Sequence, residues 1–267
     1  MGWNEACFVG AALLAVAGWR WSSAAARRRP QQAWAIALVA LATIAWWAWL
    51  LHHPAVAVRA LPTAALSRLE GAAPLPLLAV ALGAMWARAT IQRQRWVIAA
   101  ALVLGVAHFV HGAGWMVKPT PASAMAQRPT RGPAYQSEDY SCVAAACATA
   151  LTRLGVPTSE GEMARLSGTS PGSGATVVRA LYALQQRLAT TPFTVELFQP
   201  TPAELTRLPT PMLALVAAGP LQRHMVVLDH VTAERVLMTD PVGGQVLITA
   251  EDFAQQFAGV VLVFPLR

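Results

Sequence analysis

The sequence has little charge. Charged side chains make up 12% of its 267 residues and hydrophobic ones 55%, whereas soluble proteins carry about 25% charged residues. This composition excludes an ordinary soluble protein and indicates a membrane protein. Tryptophan is also absent from a whole region, because all ten Trp lie before residue 120. The chain therefore has two regions that face different solvents.

Acidic residues are scarce in the first of these regions. Residues 1–120 contain ten Lys or Arg but only two acids, Glu5 and Glu70, whereas residues 121–267 contain ten Arg and eleven acids. The pI near 10.3 is therefore a property of the first region. Arginines clustered beside apolar stretches are typical of membrane topology signals and headgroup contacts. The second region has no basic stripe with interleaved aromatics, so we expect no nucleic-acid partner.

The sequence has too few cysteines for a disulfide framework. There are three, and Cys142 and Cys147 lie five apart in one predicted helix, where they point to different faces. Any cysteine chemistry therefore rests on a free thiol. The glycine-rich, Lys-containing ATP-binding loop is absent as well, and no cofactor is predicted.

Four apolar stretches in the first region are candidate membrane helices. Crossing a bilayer takes about 20 apolar residues, with a range of about 17–25. The second and fourth stretches meet this length, the third is expected to begin after Pro74 and Pro76, and the first spans only if residues around Trp3 join it. The stretches are Ala6–Trp19, Ala33–Leu51, Gly71–Ala87 and Trp96–Val117. Residues 1–117 are thus predicted to form an all-α transmembrane anchor of about four helices.

Positive charge predicts the orientation of this anchor in an inner or plasma membrane. Seven arginines follow the first helix or separate the third and fourth, against three Lys or Arg on the other side, so the seven are expected in the cytoplasm. They are Arg20, Arg27, Arg28, Arg29, Arg88, Arg93 and Arg95. The second region is then extracytoplasmic, unless the first helix fails to span, in which case it faces the cytoplasm. A cleaved signal peptide is the alternative for the first stretch, but the residues before it lack Lys and Arg and include Glu5.

Four histidines lie near the expected outer side of the anchor. A metal or haem site is one interpretation, and hydrated interfacial side chains are the other. The spacing fixes no ligand geometry, so we favour hydrated side chains and predict no metal. The residues are His52, His53, His108 and His111.

Two further segments complete the predicted organisation. Residues 118–133 contain four prolines and are expected to form a semi-extended linker. Residues 134–267 read as three helices followed by an antiparallel sheet, which is an α+β domain. The sequence therefore predicts an anchor, a linker and one domain outside the bilayer.

The elements of this domain follow from caps and hydrophobic runs. The first helix is expected to run from a Ser141 cap to Gly155, the second to start with a capping box of Ser159 and Glu162, and the third to cover Ser173–Leu188. Strands are predicted at Phe193–Phe198, Met212–Ala217, His224–Asp229, Arg235–Thr239, Val246–Ile248 and Val260–Phe264, with small helices at Thr201–Glu204 and Thr249–Glu251.

Cys142 lies in the first turn of a predicted helix. The positive end of the helix dipole and the free N–H groups there favour a thiolate. Gln136, six residues earlier, can aim its side-chain amide at an oxyanion formed on attack. His224 and Asp240 sit on successive strands that can bring imidazole and carboxylate side by side. This order predicts a Cys-His-Asp triad with an oxyanion donor.

Other residues compete for two of these roles. His230 has the same parity as His224 on an uninterrupted strand, so the strand face does not choose between them. We place His230 in a hairpin turn with Asp229, which is the alternative carboxylate. Cys147 is interpreted as a core residue.

Three segments resemble the bacteriocin-processing, papain-like cysteine peptidases that cut double-glycine leader peptides. The segments are Gln136-Ser-Glu-Asp-Tyr-Ser-Cys142, His224-Met-Val-Val-Leu228, and Thr239-Asp240-Pro241 with Gly243-Gly244. The resemblance covers about residues 134–267. It implies that Cys142 is the nucleophile, His224 the general base and then acid, Asp240 the group that orients the imidazole, and Gln136 with the Cys142 N–H the oxyanion hole.

The sequence departs from that family in three ways. Val143 replaces a usual Gly, Ser141 replaces a common acid, and no ATP-binding module is present. We expect a membrane-anchored endopeptidase that acts on a peptide or protein, after Gly-Gly in a leader or small secreted or membrane peptide, with a separate exporter or other membrane partner. The alternatives are a catalytically silent domain that binds peptides, and an acyltransferase or transglutaminase-like use of the same triad.

Overall fold

A computed structural model describes residues 3–118, 125, 132–171, 173–219 and 222–267. The chain divides into two compact units, Met1–Lys118 and Pro119–Arg267. Most of the predicted linker, residues 118–133, lies outside the described residues.

The first unit consists of helices. They are α1 (Trp3–Arg28), α2 (Ala33–His52), α3 (Pro54–Ala60), α4 (Thr63–Ala72), α5 (Pro74–Trp86) and α6 (Gln92–Ala113), with 3-10 turns at Pro30–Gln32 and Gly114–Met116. Among the described residues, three segments are long and apolar enough to cross a membrane: Trp3–Arg28, Pro30–His52 and Gln92–Met116. A fourth crossing requires α4 and α5, which are bent by 40°, to act as one span.

Two expectations for this unit were wrong in detail. The first helix is 26 residues long, because the polar residues after Trp19 continue it to Arg28. The helix α5 begins at Pro74 rather than after Pro76, since a proline at the first helical position lacks only an N–H that would have no helical partner. The short helices α3 and α4 lie between α2 and α5.

Small residues allow α1 and α5 to pack closely. Ser23 Oγ donates a hydrogen bond to the Gly83 carbonyl oxygen at 2.9 Å. A Cβ atom at Gly83 would lie 2.5 Å from Ser22 Oγ and 2.7 Å from the Trp19 carbonyl oxygen. Contacts of this kind are typical of helix pairs in membranes, where small residues let backbones approach.

The second unit has an α+β fold, as predicted. Its helices are α7 (Cys142–Arg153), α8 (Glu160–Ser167), α9 (Val177–Arg187) and α10 (Ala250–Gln256), with a 3-10 helix at Pro202–Arg207. Its strands are β1 (Glu196–Phe198), β2 (Met212–Ala217), β3 (Arg223–Val231), β4 (Arg235–Asp240), β5 (Gly244–Thr249) and β6 (Phe257–Val263). All strand pairs are antiparallel, in the order β1-β6-β2-β3-β4-β5.

The helix ends follow the predicted caps only in part. Gly155 has φ +72° and follows α7, and Ser159 Oγ accepts from the Glu162 N–H at 3.1 Å at the start of α8. Thr176 caps α9, which begins at Val177 rather than at the predicted Ser173. The expected Ser141 cap was wrong, because its side chain makes no capping bond to α7 and is engaged by Glu138 and Glu160 instead.

The hydrophobic core places α7 against the centre of the sheet. Residues Val143 to Leu151 of α7 are buried, and the helix packs on β3 and β2. One face of the sheet buries apolar side chains from β2, β3, β4 and β6 around Phe253. The first turn of α7 therefore lies near the beginning of β3.

Candidate active site

Cys142 is the first residue of α7 and is partly buried. Its thiol contacts the His224 side chain and the backbone N–H groups of Met225 and Val143. The helix supplies one of these donors because the N–H groups of its first turn have no carbonyl partner within the helix. The beginning of β3 supplies the other two contacts.

His224 and Asp240 lie on neighbouring strands, β3 and β4. The distance from His224 Nε2 to Asp240 Oδ1 is 2.9 Å. Asp240 Oδ1 also accepts from the Val242 N–H at 2.7 Å, so the turn after β4 holds the carboxylate in place. Because Nε2 is engaged by Asp240, Nδ1 is the imidazole nitrogen that remains for the Cys142 thiol.

These contacts shift the pKa values of the thiol and the imidazole in opposite directions. Burial raises the pKa of the Cys142 thiol, but the His224 hydrogen bond, the Met225 N–H and the His224 charge together bring it below its usual value. The Cys142 hydrogen bond, with the help of Asp240 and against burial, raises the pKa of His224 to about 9. Both shifts favour the ionised pair, thiolate and imidazolium, over the neutral pair.

Asp240 remains ionised in this arrangement. Burial raises the pKa of its carboxyl, but the Val242 N–H and then His224 lower it, and the net shift is downward. A carboxylate in this position stabilises a protonated imidazole next to it.

Gln136 precedes α7 and is joined to the turn after Asp240. Its backbone N–H donates to the Pro241 carbonyl oxygen at 2.9 Å. Its side-chain Oε1 is buried and has no hydrogen-bond partner among the described residues. The fold therefore does not use this end of the amide.

The competing residues have other contacts. Asp229 is the extra residue of a β-bulge between Leu228 and His230, and its carboxylate pairs with Arg153 and accepts from Thr239 Oγ1. His230 is exposed and pairs with Leu237 in the sheet. Placing His230 and Asp229 in a hairpin turn was therefore wrong, and the bulge removes the parity that made His230 equivalent to His224.

Cys147 is fully buried in α7. Burial, and then the charge of Cys142, raises the pKa of its thiol. A thiol with these properties is unreactive at neutral pH. The two cysteines of α7 thus differ in chemistry although they share a helix.

One residue of the site was missed by the sequence analysis. Glu160, the first residue of α8, is fully buried and accepts hydrogen bonds from the segment between Gln136 and Cys142. In the sequence it reads as an ordinary acid in the first turn of a helix. Only the packing of α8 against α7 brings it to the site.

The described residues contain no group of three or more His, Cys, Asp or Glu that could hold a metal ion. Two of the four histidines singled out in the first unit bond to their own helix. His52 Nδ1 lies 2.8 Å from the Ala48 carbonyl oxygen, and His53 Nδ1 lies 2.8 Å from that of Trp49.

Comparison with known proteins identifies the second unit. Two uncharacterized proteins match over 128 residues, 48% of this chain and 84% of each relative: one from Methanothermobacter marburgensis at 34% identity and one from Methanothermobacter thermautotrophicus at 31%. Among solved structures, a double glycine motif protease from an AMS/PCAT transporter, in complex with the leader peptide, has 24% identity and a TM-score of 0.42 over 53% of this chain and 99% of that one. The peptidase domain of Streptococcus ComA, a bi-functional ABC transporter of a quorum sensing pathway, has 17% identity and a TM-score of 0.46 over 52% and 100%.

A family model gives the assignment. The model of the Peptidase C39 family matches residues 131–266, half of the chain. This agrees with the resemblance carried by the segments around Gln136, Cys142, His224 and Asp240. The chain therefore belongs to the Peptidase C39 family.

Proposed function

We propose that the protein is a membrane-anchored cysteine endopeptidase with a Cys142-His224-Asp240 triad. The observation that carries the proposal is that Asp240 Oδ1 lies 2.9 Å from His224 Nε2 while the same imidazole contacts the Cys142 thiol. A nucleophile, a base and a group that orients the base are the components of nucleophilic catalysis on a carbonyl.

In the acylation half of the reaction, the Cys142 thiolate attacks the carbonyl carbon of the scissile bond. The carbonyl oxygen becomes an oxyanion, which the Gln136 side-chain amide and the Cys142 N–H stabilise. The His224 imidazolium donates its Nδ1 proton to the leaving amine, and the C–N bond breaks. The product amine departs and a thioester to Cys142 remains.

In the deacylation half, water replaces the amine. His224, now neutral, takes a proton from the water, and the hydroxide attacks the thioester carbonyl. The second tetrahedral intermediate collapses, the acid product leaves, and the thiolate-imidazolium pair is restored. Asp240 stays ionised throughout and balances the imidazolium charge.

The substrate is a peptide or protein cut after a small residue. Membership of a peptidase family supports a peptide substrate, and the resemblance of three segments to double-glycine leader peptidases supports cleavage after Gly-Gly. The leader of a small secreted or membrane peptide is a substrate of this kind. A separate exporter or other membrane protein is the partner expected to handle that peptide.

The first unit is proposed to be the anchor. Three helices are long and apolar enough to span a bilayer, and the positive-inside pattern supports an extracytoplasmic peptidase domain. In this proposal residues 1–117 lie in an inner or plasma membrane, residues 118–133 link the units, and residues 134–267 form the peptidase.

Covalent labelling tests the proposal. The detergent-solubilised full chain is treated with a peptidyl-Gly-Gly chloromethyl ketone, and the modified residue is identified by mass spectrometry. We expect stoichiometric labelling of Cys142 that is lost in His224→Ala, and none of Cys147, which serves as an internal control because it is buried. An unlabelled Cys142 in folded protein would instead favour a domain that binds peptides without turnover.

A further inference from the structure

Glu160 is a buried carboxylate that the proposed mechanism does not use. It is the first residue of α8 and its exposed fraction is 0%. One oxygen, Oε1, accepts from the Ser137 N–H at 2.8 Å and from Ser141 Oγ at 2.6 Å. The other oxygen, Oε2, accepts from Ser137 Oγ at 2.5 Å.

These contacts hold both ends of one short segment. Ser137 follows Gln136 directly, and Ser141 precedes Cys142 directly. Within the segment, the Ser141 N–H donates to the Glu138 carbonyl oxygen at 3.0 Å, and the Glu138 N–H donates to Ser141 Oγ at 3.1 Å. The segment is thus a closed turn with Glu160 bonded to its first and last residues.

A buried carboxylate imposes this geometry strongly. Moving a carboxylate out of water is costly unless hydrogen bonds replace the lost hydration, and hydrogen bonds to a charged acceptor are shorter and stronger than neutral ones. Rearrangement of the turn would leave Glu160 with unpaired acceptors inside the protein. The turn therefore stays in the position in which it donates hydrogen bonds to both carboxylate oxygens of Glu160.

We propose that Glu160 is a positioning residue that sets the geometry of the oxyanion hole. The two proposed donors, the Gln136 amide and the Cys142 N–H, flank the turn that Glu160 holds. Donors of this kind act only when they lie about 2.7–3.1 Å from the oxyanion. This inference rests on the proposed function, because it assigns Glu160 a role in the same reaction.

The kinetic test compares Glu160→Leu with Glu162→Leu, a matched change on the same helix. Glu162 is part of an ion pair with Arg187 and is not in the site. We expect Glu160→Leu to lower kcat for a Gly-Gly peptide by about 10- to 100-fold, with little change in KM, and Glu162→Leu to leave kcat unchanged. Glu160→Gln should recover most of the loss, since its amide can still accept from the Ser137 N–H and bond to a hydroxyl.

Alkylation separates positioning from general damage. Iodoacetamide reacts with the Cys142 thiolate by displacement at carbon and forms no oxyanion. The rate constant of alkylation in Glu160→Leu should therefore stay within about twofold of wild type, and its dependence on pH should be unchanged. Equal losses of alkylation and hydrolysis would assign Glu160 a role in folding alone. If the Leu variant does not fold, Ser137→Ala and Ser141→Ala remove the hydroxyl contacts one at a time, and each should lower kcat without changing alkylation.

A double variant tests whether Glu160 acts through Gln136. If it does, Glu160→Leu should lower kcat less in a Gln136→Ala background than in wild type, because only the Cys142 N–H is then left to be misplaced, whereas losses that multiply in full would overturn the inference. Hydrogen exchange of residues 136–141, which needs no activity, should be faster in Glu160→Leu than in wild type. An inactive wild type would overturn the proposed function, and unchanged exchange would overturn the role of Glu160, so the two failures are distinguishable.

Discussion

The two units differ in where their large apolar side chains lie, because most of the exposed ones belong to the first unit. In the first unit, small residues such as Ala37 are buried, while Trp34 and Leu104 are 61% and 71% exposed. In the second unit, large residues such as Leu213 and Phe253 are buried, and a buried acid is fully bonded. This difference is what the proposed anchor predicts, because lipid gives no reason to bury leucine and favours close backbone contact, whereas water drives leucine inward.

Each unit carries its own reporter, so the comparison can be tested one side at a time. All ten Trp lie in the first unit, and their fluorescence therefore follows that unit alone. Cys147, buried in the second unit, becomes accessible to a thiol reagent only when that unit opens.

The largest effect is expected from His224→Ala, which should affect chemistry in the second unit only. Without the proton carrier, peptide hydrolysis should fall by about 10²–10⁴-fold, measured as kcat/KM on a Gly-Gly peptide. His230→Ala is the matched control, because it is an exposed histidine on the same strand. Equal losses in the two variants would contradict the assignment of His224 as base.

Gly83→Val should damage the first unit and spare the second. A Cβ at Gly83 would lie 2.5 Å from Ser22 Oγ and 2.7 Å from the Trp19 carbonyl oxygen, and overpacking of this kind destabilises by about 1–3 kcal/mol. The Trp-monitored melting temperature in detergent should fall, while labelling of Cys142 is unchanged. Gly10→Val, which meets nothing within 4 Å, is the control, and a similar fall in both variants would argue against tight α1–α5 packing.

The pH dependence should reflect the thiolate-imidazolium pair. As pH falls through the lowered Cys142 pKa, the thiolate is lost and kcat/KM declines. As pH rises through the His224 pKa of about 9, the imidazolium that protonates the leaving amine is lost and kcat/KM declines again. Because Asp240 helps to raise the His224 pKa, Asp240→Asn should move the alkaline limb of the kcat/KM profile to lower pH.

The control for the alkaline limb is Asp229→Asn. Its carboxylate contacts Arg153 and Thr239 rather than His224, so the limb should stay in place. An alkaline limb that moves with Asp229 and not with Asp240 would exchange their roles.

The smallest effect is expected from Arg153→Ala. This side chain is partly exposed and its pair with Asp229 has an N–O distance of 3.1 Å; such surface pairs contribute about 0.2–1 kcal/mol. The temperature at which Cys147 becomes reactive should be slightly lower than in wild type. This difference should be smaller at high salt, because salt already screens the pair in the wild type. A large fall would indicate that the half-buried Asp229 carboxylate needs its cation to keep its place in the bulge.

Local patterns predicted much of the fold and the candidate residues. Hydrophobic patterns and helix caps are local properties of the sequence, and they predicted α7 and the strands that carry His224 and Asp240. Contacts between residues distant in the chain could not be predicted from local patterns. Glu160 lies 19 residues from Ser141 in the chain, and its carboxylate accepts a hydrogen bond from the Ser141 hydroxyl that was expected to cap α7. The bulge at Asp229 was also missed, since an extra residue in one strand is defined only by its partner strand.

The hydrogen bond from Gln136 to Pro241 bears on how this domain can be engineered. Turns between hairpin strands usually accept inserted residues and tags, but the β4–β5 turn is fixed twice, by the Pro241 carbonyl to Gln136 and by the Val242 N–H to Asp240. A tag inserted in this turn would disturb Gln136, which leads to Cys142, and the Asp240 carboxylate at the same time. The β3–β4 hairpin around Ala233, at the opposite end of those strands, is the better place for an epitope or a fluorophore.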